Sequence, residues 1–106
     1  MDQHYIHASD FVKKLEQGEL DQSLIIDVRE PYEWEQYRLE QATLIPMNTI
    51  PSKWTELPAD RDIYLVCAHG VRSWHVMSFL LQNGLQRAIN VEGGMAEIYP
   101  LLSGGE

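Results

Sequence analysis

Four short apolar runs, SLIID, ATLIPM, IYLVC and AINV, alternate with segments of helical spacing, and this alternation limits the possible folds more than any other feature. In SLII and IYLV consecutive residues are apolar, not every second one. A strand that is apolar on both faces has to be covered on both faces, as in a parallel sheet between two layers of helices. The intervening segments supply those helices. Ser9-Asp10 precede FVKKLEQGE, in which Phe11, Val12 and Leu15 share a face and Gly18 marks the stop. Pro31 suits the first turn of a helix through Tyr37, with Glu33 and Glu35 near its positive end. Pro51 opens a short helix, SKWTEL, before a turn at Pro58-Ala59-Asp60-Arg61. Val71–Asn83 has the clearest helical pattern, with Val71, Val76, Phe79 and Leu80 as its apolar positions and Gly84 closing it. Gly93-Gly94 turn the chain from AINV into a last helix, MAEIYPLL. The expected fold is an α/β domain with a largely parallel sheet, formed as one unit over residues 1–106.

Composition narrows the function. Hydrophobic residues make up 44 % of the chain and three are tryptophan, as in a folded globule. The formal charge is −8, and the eight Lys and Arg, from Lys13 to Arg87, cluster only at Lys13-Lys14. Nucleic-acid binders carry a basic patch or stripe, so no nucleic-acid partner is expected. No apolar run approaches the roughly 20 residues that span a bilayer, and no membrane partner is expected. The start, MDQHYIHASD, lacks the basic end and apolar stretch of a signal peptide, which points to a cytoplasmic setting. One cysteine forms no internal disulfide and no Cys-rich metal site. His69 and His75 lie six apart, unlike a helical ligand pair, so no metal is expected.

In open sheets of this kind ligands sit beyond the carboxyl ends of the strands. Three polar clusters fall there: Asp27-Val28-Arg29-Glu30, Cys67–Ser73 and Gly93-Gly94. Cys67 has two readings, a small buried apolar side chain or a nucleophile. It follows the last apolar residue of its strand and precedes a helix that starts near Val71–Ser73. The backbone N–H groups between Ala68 and Ser73 have no strand or helix partner. If the loop curls, they form an anion-binding nest reinforced by the helix dipole, and Gly70 permits the positive φ that a curl needs. A thiolate at the floor of such a nest is favoured over a thiol and is a nucleophile near neutral pH.

Cys67-Ala68-His69-Gly70-Val71-Arg72-Ser73 resembles the C-x-x-G-x-R-S loop of single-domain rhodaneses, the thiosulfate:cyanide sulfurtransferase-like proteins. Asp27-Val28-Arg29-Glu30 with Glu33-Trp34 is similar to that family's D-V-R-x-x-x-E-(aromatic) stretch, and Val91-Glu92-Gly93-Gly94-Met95 to its V-x-G-G-(Met/Trp) segment. Gly84-Leu85 fits the pair that leads into the last strand, so the matches run in family order from about Leu24 to Met95. One stretch departs. Where the family shows G-H-I-x-G-A-x-x-I-P, Tyr37–Pro46 keeps Ala42 and Pro46 but has neither glycine nor the histidine.

The resemblance implies a rhodanese-like three-layer domain with a five-stranded, largely parallel sheet. It implies a sulfurtransferase that moves a sulfane sulfur from thiosulfate or another persulfide donor to cyanide, a thiol or a sulfur-accepting protein. The sulfur would travel as a persulfide on Cys67, with no other cofactor, cradled by Ala68, His69, Gly70, Val71, Arg72 and Ser73. Arg72 either steers a donor sulfonate or braces the loop against a carboxylate. His69 either adds a donor at the pocket or faces solvent. Arg29 lies near the rim by family analogy, whereas Asp27 reads as strand-end support. Thiosulfate-using members often carry basic side chains just after the cysteine, but this loop has Ala68 and His69, so slow turnover of thiosulfate is expected. Cysteine phosphatases of related fold have a loop one residue longer, with arginine where Ser73 stands here, which disfavours phosphate chemistry. The remaining alternative is a non-catalytic module that uses the same fold to bind partners.

Overall fold

In the computed structural model, which describes residues 3–102, five parallel strands form one sheet in the order β1-β5-β4-β2-β3. The strands are β1 (Tyr5–His7), β2 (Leu24–Asp27), β3 (Thr43–Leu44), β4 (Ile63–Val66) and β5 (Ala88–Glu92). The helices are α1 (Ala8–Glu16), α2 (Pro31–Gln36), α3 (Ile50–Lys53), α4 (Val71–Gln82) and α5 (Gly94–Leu101). A 3-10 turn stands on each side of α3, at Met47–Thr49 and Trp54–Glu56.

The consecutive apolar residues of the inner strands are explained by two cores, one on each side of the sheet. Ile25, Tyr64, Val66 and Val91 point to one side and pack with Phe11 and Val12 of α1 and Met95 and Ile98 of α5. Ile26, Ile63, Leu65 and Ala88 point to the other and pack with Ile50 of α3 and Val76, Met77 and Leu80 of α4. All four residues of β4 are buried, as expected for the middle strand of a three-layer sandwich.

Several expectations are corrected. Residue pattern alone does not show β1, a three-residue edge strand held against β5 through Tyr5↔Asn90, Ile6↔Val91 and His7↔Glu92. Helix α1 starts at Ala8, ahead of Phe11, with His7 at its N-cap and Ser9 and Asp10 inside the first turn. The strand expected over ATLIPM shrinks to two residues, because Pro46 and the 3-10 turn divert the chain. Val71 is 64 % exposed and belongs to the rim of the loop, not to the core of α4. The departing stretch 37–46 needs no glycine. It contains no left-handed residue and is anchored by Leu39, which is buried in the α1/α5 core with Ala42 packed beside it.

Candidate active site

Parallel strands in this order bring the ends of β2, β4 and β5 side by side, and the three polar clusters of the sequence meet there. Cys67 follows β4 directly, and its side chain lies on the α4 side among Ile26, Val28 and Met77. The chain then curls through Ala68 and His69 to Gly70, the N-cap of α4, at φ +98°. The curl returns Gly70 N–H to the sulfur, donating to Cys67 Sγ at 3.0 Å. Ser73, in the first turn of α4, places its Oγ 3.3 Å from the same sulfur.

Two opposing effects set the acidity of Cys67. Burial pushes the thiol up. Hydrogen bonding from the Ser73 hydroxyl and from the backbone N–H groups of Ser73, Gly70 and His69 outweighs it, and the pKa falls below its ordinary value. The sulfur is also nearly closed off, since Cys67 is only 1 % exposed. A cleft of about 360 Å³ opens beside the loop between His69, Val71, Trp74 and Glu92. A larger one, about 610 Å³, runs along β1 and α1 and contains no residue of the Cys67–Ser73 loop.

The loop is held from outside by α5. Met95 N–H donates to the Cys67 carbonyl at 2.7 Å and Ala96 N–H to the Ala68 carbonyl at 2.9 Å. Loop carbonyls thus face the N-terminus of α5, which leaves loop amides to face the sulfur. Gly94 makes this contact possible, since a Cβ there would run into the backbone of Cys67 and Ala68.

Arg72 is paired with a carboxylate, the contact that the bracing alternative calls for. Its Nη1 and Nη2 donate to Glu33 Oε1 and Oε2 at 2.8 and 2.9 Å, a bidentate pair joining α4 to α2 across 39 residues. The Arg72 hydrogen bonds, together with one from Glu30 N–H, outweigh partial burial and lower the Glu33 carboxyl to about 2. Arg29 is not at the rim. It is 1 % exposed and inseparable from Asp27, whose carboxylate it meets at 2.8 to 3.0 Å. Its remaining donors reach the Glu33 and Tyr37 carbonyls, tying the end of β2 to α2. Asp27 is therefore structural support, together with Arg29, and His69 is exposed on the wall of the cleft beside the loop.

Two site roles are not read from sequence: Glu33 stands there only as a helix-start residue and as part of the Asp27–Trp34 match, and Asn90 is not singled out. Glu33 is the carboxylate on which Arg72 is spent. Asn90 accepts from Ser73 Oγ through its Oδ1 and donates from Nδ2 to the Gly70 carbonyl at 3.2 Å. Its signal was a polar residue inside the otherwise apolar strand AINV, paired in register with Leu65 and so facing α4.

Comparison with known proteins agrees with this geometry. The family model of the rhodanese-like domain matches residues 7–100. A sulfurtransferase of Allochromatium vinosum is 38 % identical over 72 residues, covering 68 % of this chain and 67 % of that protein. A putative sulfurtransferase of Bacillus subtilis, YtwF, is 40 % identical over 81 residues, 76 % of this chain and 78 % of that protein. The crystal structure of a rhodanese-like domain protein from Staphylococcus aureus superposes with a TM-score of 0.80 at 37 % identity, covering 89 % of each chain. With a match that spans nearly the whole described chain, this protein belongs to the rhodanese-like domain family.

Proposed function

We propose that this protein is a sulfurtransferase that carries sulfane sulfur as a persulfide on Cys67. The observation that carries this reading is the placement of the chain's one cysteine. It stands at the carboxyl end of the middle strand, under a loop amide 3.0 Å from its sulfur, with its thiol made more acidic than usual. Relatives of similar length that are named sulfurtransferases support it.

The reaction is a double displacement. The Cys67 thiolate attacks the outer sulfur of the donor. A new S–S bond forms as the donor's S–S bond breaks, and the electron pair leaves with sulfite from thiosulfate or with a thiolate from a persulfide. The terminal sulfur of the Cys67 persulfide is then held as an anion by the loop amides, as an oxyanion is held in acyl transfer. A cyanide or thiol acceptor attacks that sulfur, and Cys67 departs as the thiolate. No other cofactor enters. Because Cys67 is 1 % exposed, donor access to the sulfur requires the loop to open.

The donor class follows from charge. Arg72 is neutralised by Glu33, and the residues after Cys67 are Ala68 and His69, so the loop offers a dianion no free arginine or lysine. A persulfide of low charge, on a small thiol or on a protein, suits this loop better than thiosulfate. With cyanide as acceptor, thiocyanate should form with a higher kcat/KM from such a persulfide than from thiosulfate, and formation should be lost in Cys67→Ser. The near-complete burial of Cys67 favours a second reading, a non-catalytic binding module. Absence of thiocyanate with every donor would select that reading.

A further inference from the structure

Ser73 has one hydroxyl proton and two neighbours placed to receive it. Its Oγ donates to Asn90 Oδ1, and the same Oγ lies 3.3 Å from Cys67 Sγ. The orientation of the Asn90 amide is set by its other end. Nδ2 has to face the Gly70 carbonyl, because turning the amide over would bring two oxygens together. Oδ1 therefore faces Ser73 and takes the hydroxyl proton. Ser73 and Asn90 are 0 % and 2 % exposed, so water does not relieve the competition. With its proton on Asn90, Ser73 turns a lone pair toward Cys67. That lone pair accepts from a thiol S–H but repels a thiolate.

We propose that Asn90 is a positioning residue that holds the Ser73 hydroxyl proton while Cys67 is a neutral thiol or persulfide and yields it when Cys67 Sγ becomes charged. The proposal rests on the sulfurtransfer reading for its use, though not for its test. When an acceptor attacks the terminal sulfur, the Sγ–S bond breaks and the electron pair stays on Sγ. The Ser73 O–H then rotates about its C–O bond from Asn90 Oδ1 to the new thiolate, so no proton is transferred and a hydrogen bond follows the charge. Loading with a fresh sulfur reverses the rotation. Asn90 thereby raises the cost of the free thiolate, and Ser73 limits that cost when the thiolate must form.

The charged groups on the elements around the sulfur are paired or turned outward. Arg72 of α4 is held by Glu33 of α2, and Asp27 and Arg29 at the end of β2 hold each other. Glu92 of β5 meets His7, His69 of the loop is exposed, and Glu97 of α5 lies beside Gly93. None of these pairs hydrogen-bonds Ser73 or Asn90.

The test is the pH dependence of Cys67 alkylation by iodoacetamide, which requires no sulfur donor. Asn90→Val should move the midpoint down by about half to one pH unit, the worth of one internal hydrogen bond. Ser73→Ala should move it up, and the double variant should match Ser73→Ala alone. Asn90→Ala repeats the test should the valine variant unfold. In the unsubstituted protein the side-chain amide resonance of Asn90 should titrate together with Cys67 and should cease to do so in Ser73→Ala. An upward or absent shift in Asn90→Val, a shift that persists without Ser73, or an Asn90 amide that ignores the titration would overturn the proposal. An Asn90 that merely braces Gly70 would produce the second of these outcomes.

Discussion

Gly94 stands where the backbone of α5 touches the backbone of the cysteine loop, and its φ of +59° lies in the left-handed region. A Cβ there meets the main chain of Cys67 and Ala68, which cannot swing aside as a flexible side chain can. Gly94→Ala should therefore cost about 1–3 kcal/mol in urea unfolding. Alkylation of Cys67 should also slow, because a displaced α5 releases the loop carbonyls and misaligns the amides. Unchanged stability together with an unchanged alkylation rate would show that the contact is dispensable. The same scale explains what was legible in the sequence. The Cys67–Ser73 loop was readable because its chemistry needs seven consecutive residues. The partners of Arg72 and Ser73 were not, since Glu33 and Asn90 lie 39 and 17 positions away and meet them only through the fold. Hence the sequence left Arg72 between steering and bracing, and the bidentate contact that favours bracing became visible only in the fold.

Among the elements, α2 is the one whose place depends most on charge. None of its residues is buried, and it is joined to the rest by Arg29 through the Glu33 and Tyr37 carbonyls and by Arg72 through the Glu33 side chain. The Arg29 guanidinium also lies 5.2 Å from the centre of the Tyr37 ring. Removing Arg29 leaves the Asp27 carboxylate charged and unpaired in the interior, which costs far more than removing both members. Arg29→Met should lower the unfolding free energy by about 3–5 kcal/mol, while Asp27→Leu combined with Arg29→Met should lower it by less. Equal losses in the two variants would assign the effect to packing of the arginine instead. The elements themselves were legible where they are long or apolar on both faces, as α4 and β4 are. The edge strand β1 escaped because its three residues, Tyr5–His7, carry too little pattern and gain their strand conformation from β5.

Across the whole molecule the fold brings three separate loops to one edge of the sheet and gives each a different task. The end of β2 and α2 supply a neutralised brace, the end of β4 supplies the sulfur and its amides, and β5 with α5 supplies Asn90 and the clamp on the loop carbonyls. The net charge of −8 and the pairing of Arg72 leave this edge poorly suited to a dianion, the basis on which a persulfide of low charge is proposed as the sulfur source. No helix among the described residues is long and apolar enough to cross a membrane. The central claim is that Cys67 itself carries the sulfur, and intact-protein mass spectrometry reads it directly. After incubation with a small-molecule persulfide the chain should gain the mass of one sulfur atom, lose it on addition of cyanide, and show no gain as Cys67→Ser. No gain from any donor, or the same gain in Cys67→Ser, would contradict it.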